Sequence, residues 1–219
     1  MIVAKYRKRE LVSNYTILTI LALTCILPIM LLFFNSVKPQ EEFGLNPLGF
    51  PITIRLANFV DAWVIGEYAQ IFLNSTKLVI GTLILNLTVS GLAGFSLAKL
   101  YPRGSNAFLV YLLVGVSIPA QMFILPLFLM WKELGLMNTH LGLIIIYAGL
   151  NAPFATFLIR SYMIQLPDEL FDAAKIDGAN TLQLFYRIAL PISWPVFLTT
   201  GLVVGLAVWN EFLFALTFV

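Results

Sequence analysis

The sequence is poor in charge, nearly without histidine and cysteine, and lacks a phosphate-cradling loop, and each shortage removes a class of protein. Only 11% of the 219 residues are charged, against 60% hydrophobic. One soluble core cannot enclose that share of apolar side chain, because a core grows slowly with chain length. The remaining solvent is lipid. A lone cysteine, Cys25, gives no disulfide framework. The lone histidine, His140, lies near the end of an apolar stretch, where a surface role fits better than a catalytic or metal one. Metal sites need clusters of ligands, and there are none. No G-x-x-x-x-G-K-S/T run occurs, so the chain carries no ATPase of its own. Nor does a Ser-His-Asp or paired-carboxylate set lie at membrane depth. The chain therefore reads as a non-enzymatic protein without cofactor or metal. Its net charge of +2 is too small to suggest nucleic acid.

What the chain does have is apolar runs. Stretches free of Asp, Glu, Lys and Arg lie between Glu10 and Lys38, Lys77 and Lys99, Arg103 and Lys132, Leu134 and Arg160, and Arg187 and Glu211. A hydrocarbon core of about 30 Å takes roughly 20 helical residues, so each stretch is long enough to cross. In lipid a helix satisfies its own backbone, and the runs are continuous rather than alternating, which excludes a barrel. The fold class is all-α, a polytopic membrane bundle and a single transmembrane domain over 1–219. Its spans fall at about 12–35, 73–98, 106–130, 139–159 and 190–210. The first is a retained anchor, since its apolar region is far longer than the 7–15 residues of a signal peptide.

Charge distribution gives the orientation. With the N-terminus in the cytoplasm, Lys5, Arg7, Lys8, Arg9, Lys99, Arg103, Arg160, Lys175 and Arg187 lie inside, Lys38, Arg55 and Lys132 outside, and Lys77 near the outer end of the second span. That is the positive-inside pattern. An external loop from about Ser36 to Gln70 holds one short surface helix. Trp131 to Thr139 is a short external connection.

The segment 161–190 is polar for this chain and reads as a cytoplasmic helix-turn-helix. Pro167, Asp168 and Glu169 make an acidic first turn, Leu170 and Ala174 share a face, and Gly178 ends the helix in a left-handed cap. A second helix starts at Asn180 with Gln183 as capping-box partner, and buries Leu182, Phe185 and Ala189 along one side. Pro191 and Pro195 bend the mouth of the fifth span. Such a hairpin is built to dock. Ala173 and Ala174 admit a close backbone, and Asp172 offers a carboxylate to a basic partner.

Asp172-Ala173-Ala174, Asp177-Gly178-Ala179 and Ile188-Ala189-Leu190-Pro191 resemble the "EAA" loop of importer-type permeases of the ATP-binding-cassette class, with Asp172 where that loop usually has Glu. Phe72-Leu73-Asn74-Ser75, Ala93 to Ala98, Arg103-Gly104, Pro119, Gln121, Leu125-Pro126-Leu127, Gly135 to Thr139 and Trp209-Asn210-Glu211-Phe212 look like the carbohydrate-uptake branch, similar to the second permease of maltose-type systems. The resemblance implies that the loop couples to a separate ATPase subunit, present as a dimer. It also implies a second permease, an extracytoplasmic solute-binding protein, a sugar substrate and a bacterial plasma-membrane location. It implies six spans where five are visible, so the chain is either a fragment or natively short. The residues 212–219 are too few to cross and would rest at the outer interface or begin a cut-off span.

Thr82, Asn86, Ser90 and Gly94 share a face of the second span and serve either helix packing or the wall of a translocation path. Gln121 near Pro119 and Asn151 near Pro153 sit where proline frees backbone groups, and either repair that ladder or face a cavity. Two rival functions stay open: a permease of the same class for a polyamine, phosphate or peptide, and an ion-coupled carrier. The charge-free span cores speak against the carrier.

Overall fold

Apolar runs of this length fold as helices, and the computed structural model of the chain, which describes residues 8–219 with side chains from Leu11 onward, contains no strand among those residues. The basic residues Lys5 and Arg7 lie outside the described residues. Contacts divide the chain into two units, residues 1–71 and 72–219.

In the first unit α1 (Lys8–Ser36) begins with the charged Lys8, Arg9 and Glu10 and is mainly apolar from Leu11 on, with Pro28 inside it. The loop that follows carries two short helices rather than one, α2 (Gln40–Leu45) and α3 (Ala57–Ile65). Its centre is Lys38. This side chain is 2% exposed, and its ammonium donates to Asn35 Oδ1 at 3.0 Å and to the carbonyls of Asn46 and Gly49 at 2.7 and 2.8 Å. Burying a charge is costly unless all its donors are used, and here three acceptors serve three protons. Glu42 accepts from the Ile52 and Thr53 amides, and the Ile52 bond foremost holds its carboxyl below the usual range.

The next helix, α4 (Tyr68–Phe95), begins well before Lys77, so this basic residue lies within the helix and not at its mouth. It continues as a π-helical turn over Ser96–Leu100. After a reversal at Tyr101 and Gly104, both with positive φ, come α5 (Ser105–Ser117), a 3-10 turn (Ala120–Phe123) and α6 (Ile124–Glu133). The expected straight span 106–130 is thus broken, by 95°. Ile118 lies at φ −87°, ψ 126°, the extended region to which a residue preceding proline is pushed.

Helix α7 (His140–Met163) is the long central element. Segment 164–193 holds α8 (Asp168–Ile176), α9 (Thr181–Gln183), a π-helical turn (Leu184–Ala189) and α10 (Leu190–Ile192). The bend expected from Pro191 and Pro195 is present. The axis turns 78° at Ser193, so the fifth stretch is a bent pair rather than one span over 190–210, and its longer arm is α11 (Trp194–Trp209). The residues after Glu211 form α12 (Leu213–Phe218).

Small residues let the long helices meet. A Cβ on Gly94 would lie 3.1 Å from Ile159 Cγ2 and 3.2 Å from the Arg160 nitrogen, so glycine lets α4 sit this close to α7 without displacing its neighbours. Two buried clusters result. One gathers Phe95, Ile159, Met163, Phe171, Phe185 and Phe197. The other gathers Trp131, Leu143, Tyr147, Val204, Phe214 and Phe218.

Candidate functional site

Helix α8 starts where its sequence says it should, with Pro167 at the N-cap and Asp168 and Glu169 in the first turn, where carboxylates oppose the helix dipole. It ends in a full Schellman motif. Gly178 sits at φ +84°, its amide donates to the Lys175 carbonyl at 3.0 Å, and the Ala179 amide donates to Ala174 at 2.9 Å. Two residues later the chain recommits to helix. The Asn180 side chain accepts from the Gln183 amide at 2.9 Å, and the Gln183 side chain accepts from the Asn180 amide at 2.8 Å, a complete capping box.

The apolar face of α8 differs from the expected one. Leu170 is exposed, while the next residue, Phe171, is buried against Phe95 at a centroid distance of 6.1 Å. Ala174 remains on the inner side. Leu182 is likewise exposed, and Leu184 and Phe185 take the buried positions. The reason is the π-helical turn over Leu184–Ala189, which widens the helix and shifts its facing residues, so a 3.6-residue period misassigns its start. Phe185 and Ala189 are buried as expected. Full burial of a phenylalanine is worth about 1.5–3 kcal/mol, so Phe171 pins α8 firmly while its other side stays open.

The open side carries the residues singled out in the sequence. Asp172, Ala173, Asp177 and Gly178 are exposed, with Ile176 and Leu182 as exposed apolar neighbours. Asp172 is paired to Lys175 on the same helix at 2.9 Å. A surface pair of this kind contributes about 0–1 kcal/mol, so the carboxylate is easily given to another partner. Ala174, Asp177, Gly178, Ala179 and Ile188 line one cleft of about 320 Å³, together with Gln183 and Arg187. Asp172 and Ala173 do not line this cleft. Leu190 instead borders a larger apolar groove of about 590 Å³ between α4 and α11, and Pro191 is exposed at the bend.

Asn86 and Ser90 are wholly buried where α4 crosses α7. The Asn86 amide donates to the Ala148 carbonyl at 2.9 Å and the Ser90 hydroxyl to Ala152 at 3.3 Å. Thr82 is buried on the same face. Asn151 donates within its own helix to Tyr147, and Gln121 is exposed on the 3-10 turn after Pro119. At the other end of this unit, Glu211 accepts from the Tyr147 hydroxyl at 2.7 Å and caps α12 through the Phe214 and Ala215 amides. The Asn138 amide donates to the Phe218 carbonyl at 2.8 Å. The residues 134–139 and 211–219 thereby form one hydrogen-bonded clasp.

Three helices long and apolar enough to cross a membrane and two bent pairs define a multi-pass membrane protein, and the capped hairpin lies between α7 and α11. Residues 90–219 match the family model described as binding-protein-dependent transport system inner membrane component, and the chain belongs to that family. It is 33% identical over 192 residues to the probable ABC transporter permease protein YurM of Bacillus subtilis, covering 88% of this chain and 64% of that one. The arabinooligosaccharides transport system permease protein AraQ of Halalkalibacterium halodurans is 34% identical over 200 residues, covering 90% and 71%. The chain thus spans about two thirds of the length of these relatives. In fold it is similar, at a TM-score of 0.80 and 23% identity, to a chain in the crystal structure of a bacterial ABC transporter involved in the import of the acidic polysaccharide alginate. That match covers all of this chain and 77% of the other.

Proposed function

We propose that this chain is the permease subunit of an ATP-driven importer that takes up a sugar, and that segment 161–190 is its coupling loop. One observation carries the reading: the hairpin that presents Asp172, Ala173, Ile176 and Asp177 outward lies inside the matched family region, between α7 and α11. The partners are an ATPase dimer, seated on α8 and the cleft beside Gly178, a second permease and an extracytoplasmic solute-binding protein. A sugar, and among sugars an oligosaccharide, is supported by the name of the AraQ relative. The N-terminus lies in the cytoplasm of a bacterial plasma membrane, a reading supported by the basic residues Lys99, Arg103, Arg160, Lys175 and Arg187 that flank the spans on one side. ATP-driven closure of the ATPase dimer pushes α8 and rocks the spans between two states.

The test reconstitutes the assembled complex in proteoliposomes with a labelled oligosaccharide. Uptake is expected to require ATP and the binding protein and to survive collapse of proton and sodium gradients. In a Cys25→Ser background, Asn180→Cys is expected to be shielded from an impermeant thiol reagent in intact cells and Asn46→Cys to be labelled. Uptake driven by an ion gradient alone would overturn the importer reading, and labelling of Asn180→Cys from outside would invert the topology.

A further inference from the structure

The contact between the hairpin and the foot of α4 has a feature that neither docking nor helix packing needs. Lys99 sits on the π-helical turn that ends α4, and its side chain is only 4% exposed. The Nζ donates to the Leu166 carbonyl and to Asp168 Oδ1, both at 2.6 Å, and stands 5.2 Å from the centre of the Phe171 ring. One ammonium thus holds the linker before α8, its first residue and its buried anchor. Some 69 residues separate Lys99 from Asp168 in the chain.

Among the described residues, the ring contacts that join α8 to α4 are apolar. Phe171 meets Phe95, and Phe95 meets Phe185 at 5.5 Å. These contacts anchor α8 by buried area and ring packing. Charge-assisted hydrogen bonds are short and directional and do not tolerate sliding. Two π-helical turns meet this contact, Ser96–Leu100 at the foot of α4 and Leu184–Ala189 in the second arm of the hairpin, a geometry frequent at functional sites. To the packed nest the Lys99 ammonium adds a directional link from the start of α8 to the foot of α4.

We propose that Lys99 is that link, a positioning residue through which displacement of α8 is delivered to the foot of the second span. This rests on the coupling-loop reading above. Its loss leaves ATP hydrolysis running and removes the work that hydrolysis performs.

The experiment measures sugar taken up per ATP hydrolysed in the assembled complex. Lys99→Met keeps the length and packing of the side chain and removes its charge. The ratio is expected to fall about tenfold, the scale of one charge-assisted hydrogen bond, with hydrolysis retained. Lys99→Arg should restore it, and Asp168→Asn, which leaves the Leu166 bond intact, should give an intermediate ratio. Cross-linking of Ala173→Cys to the ATPase subunit should be equal with and without Lys99→Met. A normal ratio in Lys99→Met with normal cross-linking overturns the link while docking stands. Absence of cross-linking in the Lys99 background overturns the docking reading itself, and the link with it. Should Lys99→Met fail to insert, Asp168→Asn decides, its carboxylate being mostly exposed, and an unchanged ratio there overturns the proposal.

Discussion

Gly178 isolates one backbone angle from every other effect. Its φ of +84° lies where a side chain is strained, yet a Cβ built there meets nothing within 4 Å. The cost of substitution is therefore conformational rather than steric, about 1–2 kcal/mol. Gly178→Val is expected to lower uptake per ATP several-fold without loss of membrane insertion. Gly178→Asn, whose side chain tolerates the left-handed region, should keep most of it. Equal loss in both would assign the effect to the cleft and not to the turn. The sequence made this glycine legible, along with Asn180 and Gln183, because caps are local and depend on residues three or four apart. It did not show that Phe171 rather than Leu170 turns inward. That choice is made by Phe95, which is distant in the chain, and by the ammonium of Lys99 over the Phe171 ring.

Between elements, the contact of α4 with α7 can be tested at Asn86. Its amide has a partner in the Ala148 carbonyl, while its Oδ1 is buried without one, so the residue is half satisfied. Interhelical hydrogen bonds in membrane proteins average about 0.6 kcal/mol and reach about 1.7. Asn86→Ala is expected to lower the melting temperature in detergent by a few degrees and to leave the half-saturating sugar concentration unchanged. A raised half-saturation with unaltered melting would identify Asn86 as part of the translocation path instead. The bend at Pro191 and Pro195 was readable because proline dictates it, though its size was not, while the break at Ile118-Pro119 fell inside what read as one span over 106–130. The start of α4 at Tyr68 lies five residues before the expected 73, and Lys77 within the helix carries its charge on a long apolar stem. The π-helical turns left no trace in the periodicity. They add one residue to a turn, and short apolar runs tolerate that shift.

At the scale of the whole chain, the apolar stretches announce the membrane protein, and five of them correspond to three long helices and two bent pairs. What the stretches conceal is the tertiary chemistry that makes a machine of them, since the Lys99–Asp168 and Tyr147–Glu211 bonds join residues more than sixty apart. The clasp formed by residues 134–139 and 211–219 has an optical consequence. Of the four tryptophans, Trp63, Trp194 and Trp209 are about half exposed, and Trp131 alone is buried. Its indole rests against Gly142, so closely that a Cβ there would strike both the ring and the Leu136 carbonyl. Its backbone carbonyl accepts from the Leu136 amide at 2.9 Å. An indole in so dry and tight a seat emits at shorter wavelength than one in water, and any parting of the clasp would let water quench it. With the other three replaced by phenylalanine, the emission of Trp131 would follow the opening and closing of that end of the molecule in real time, with no dye attached.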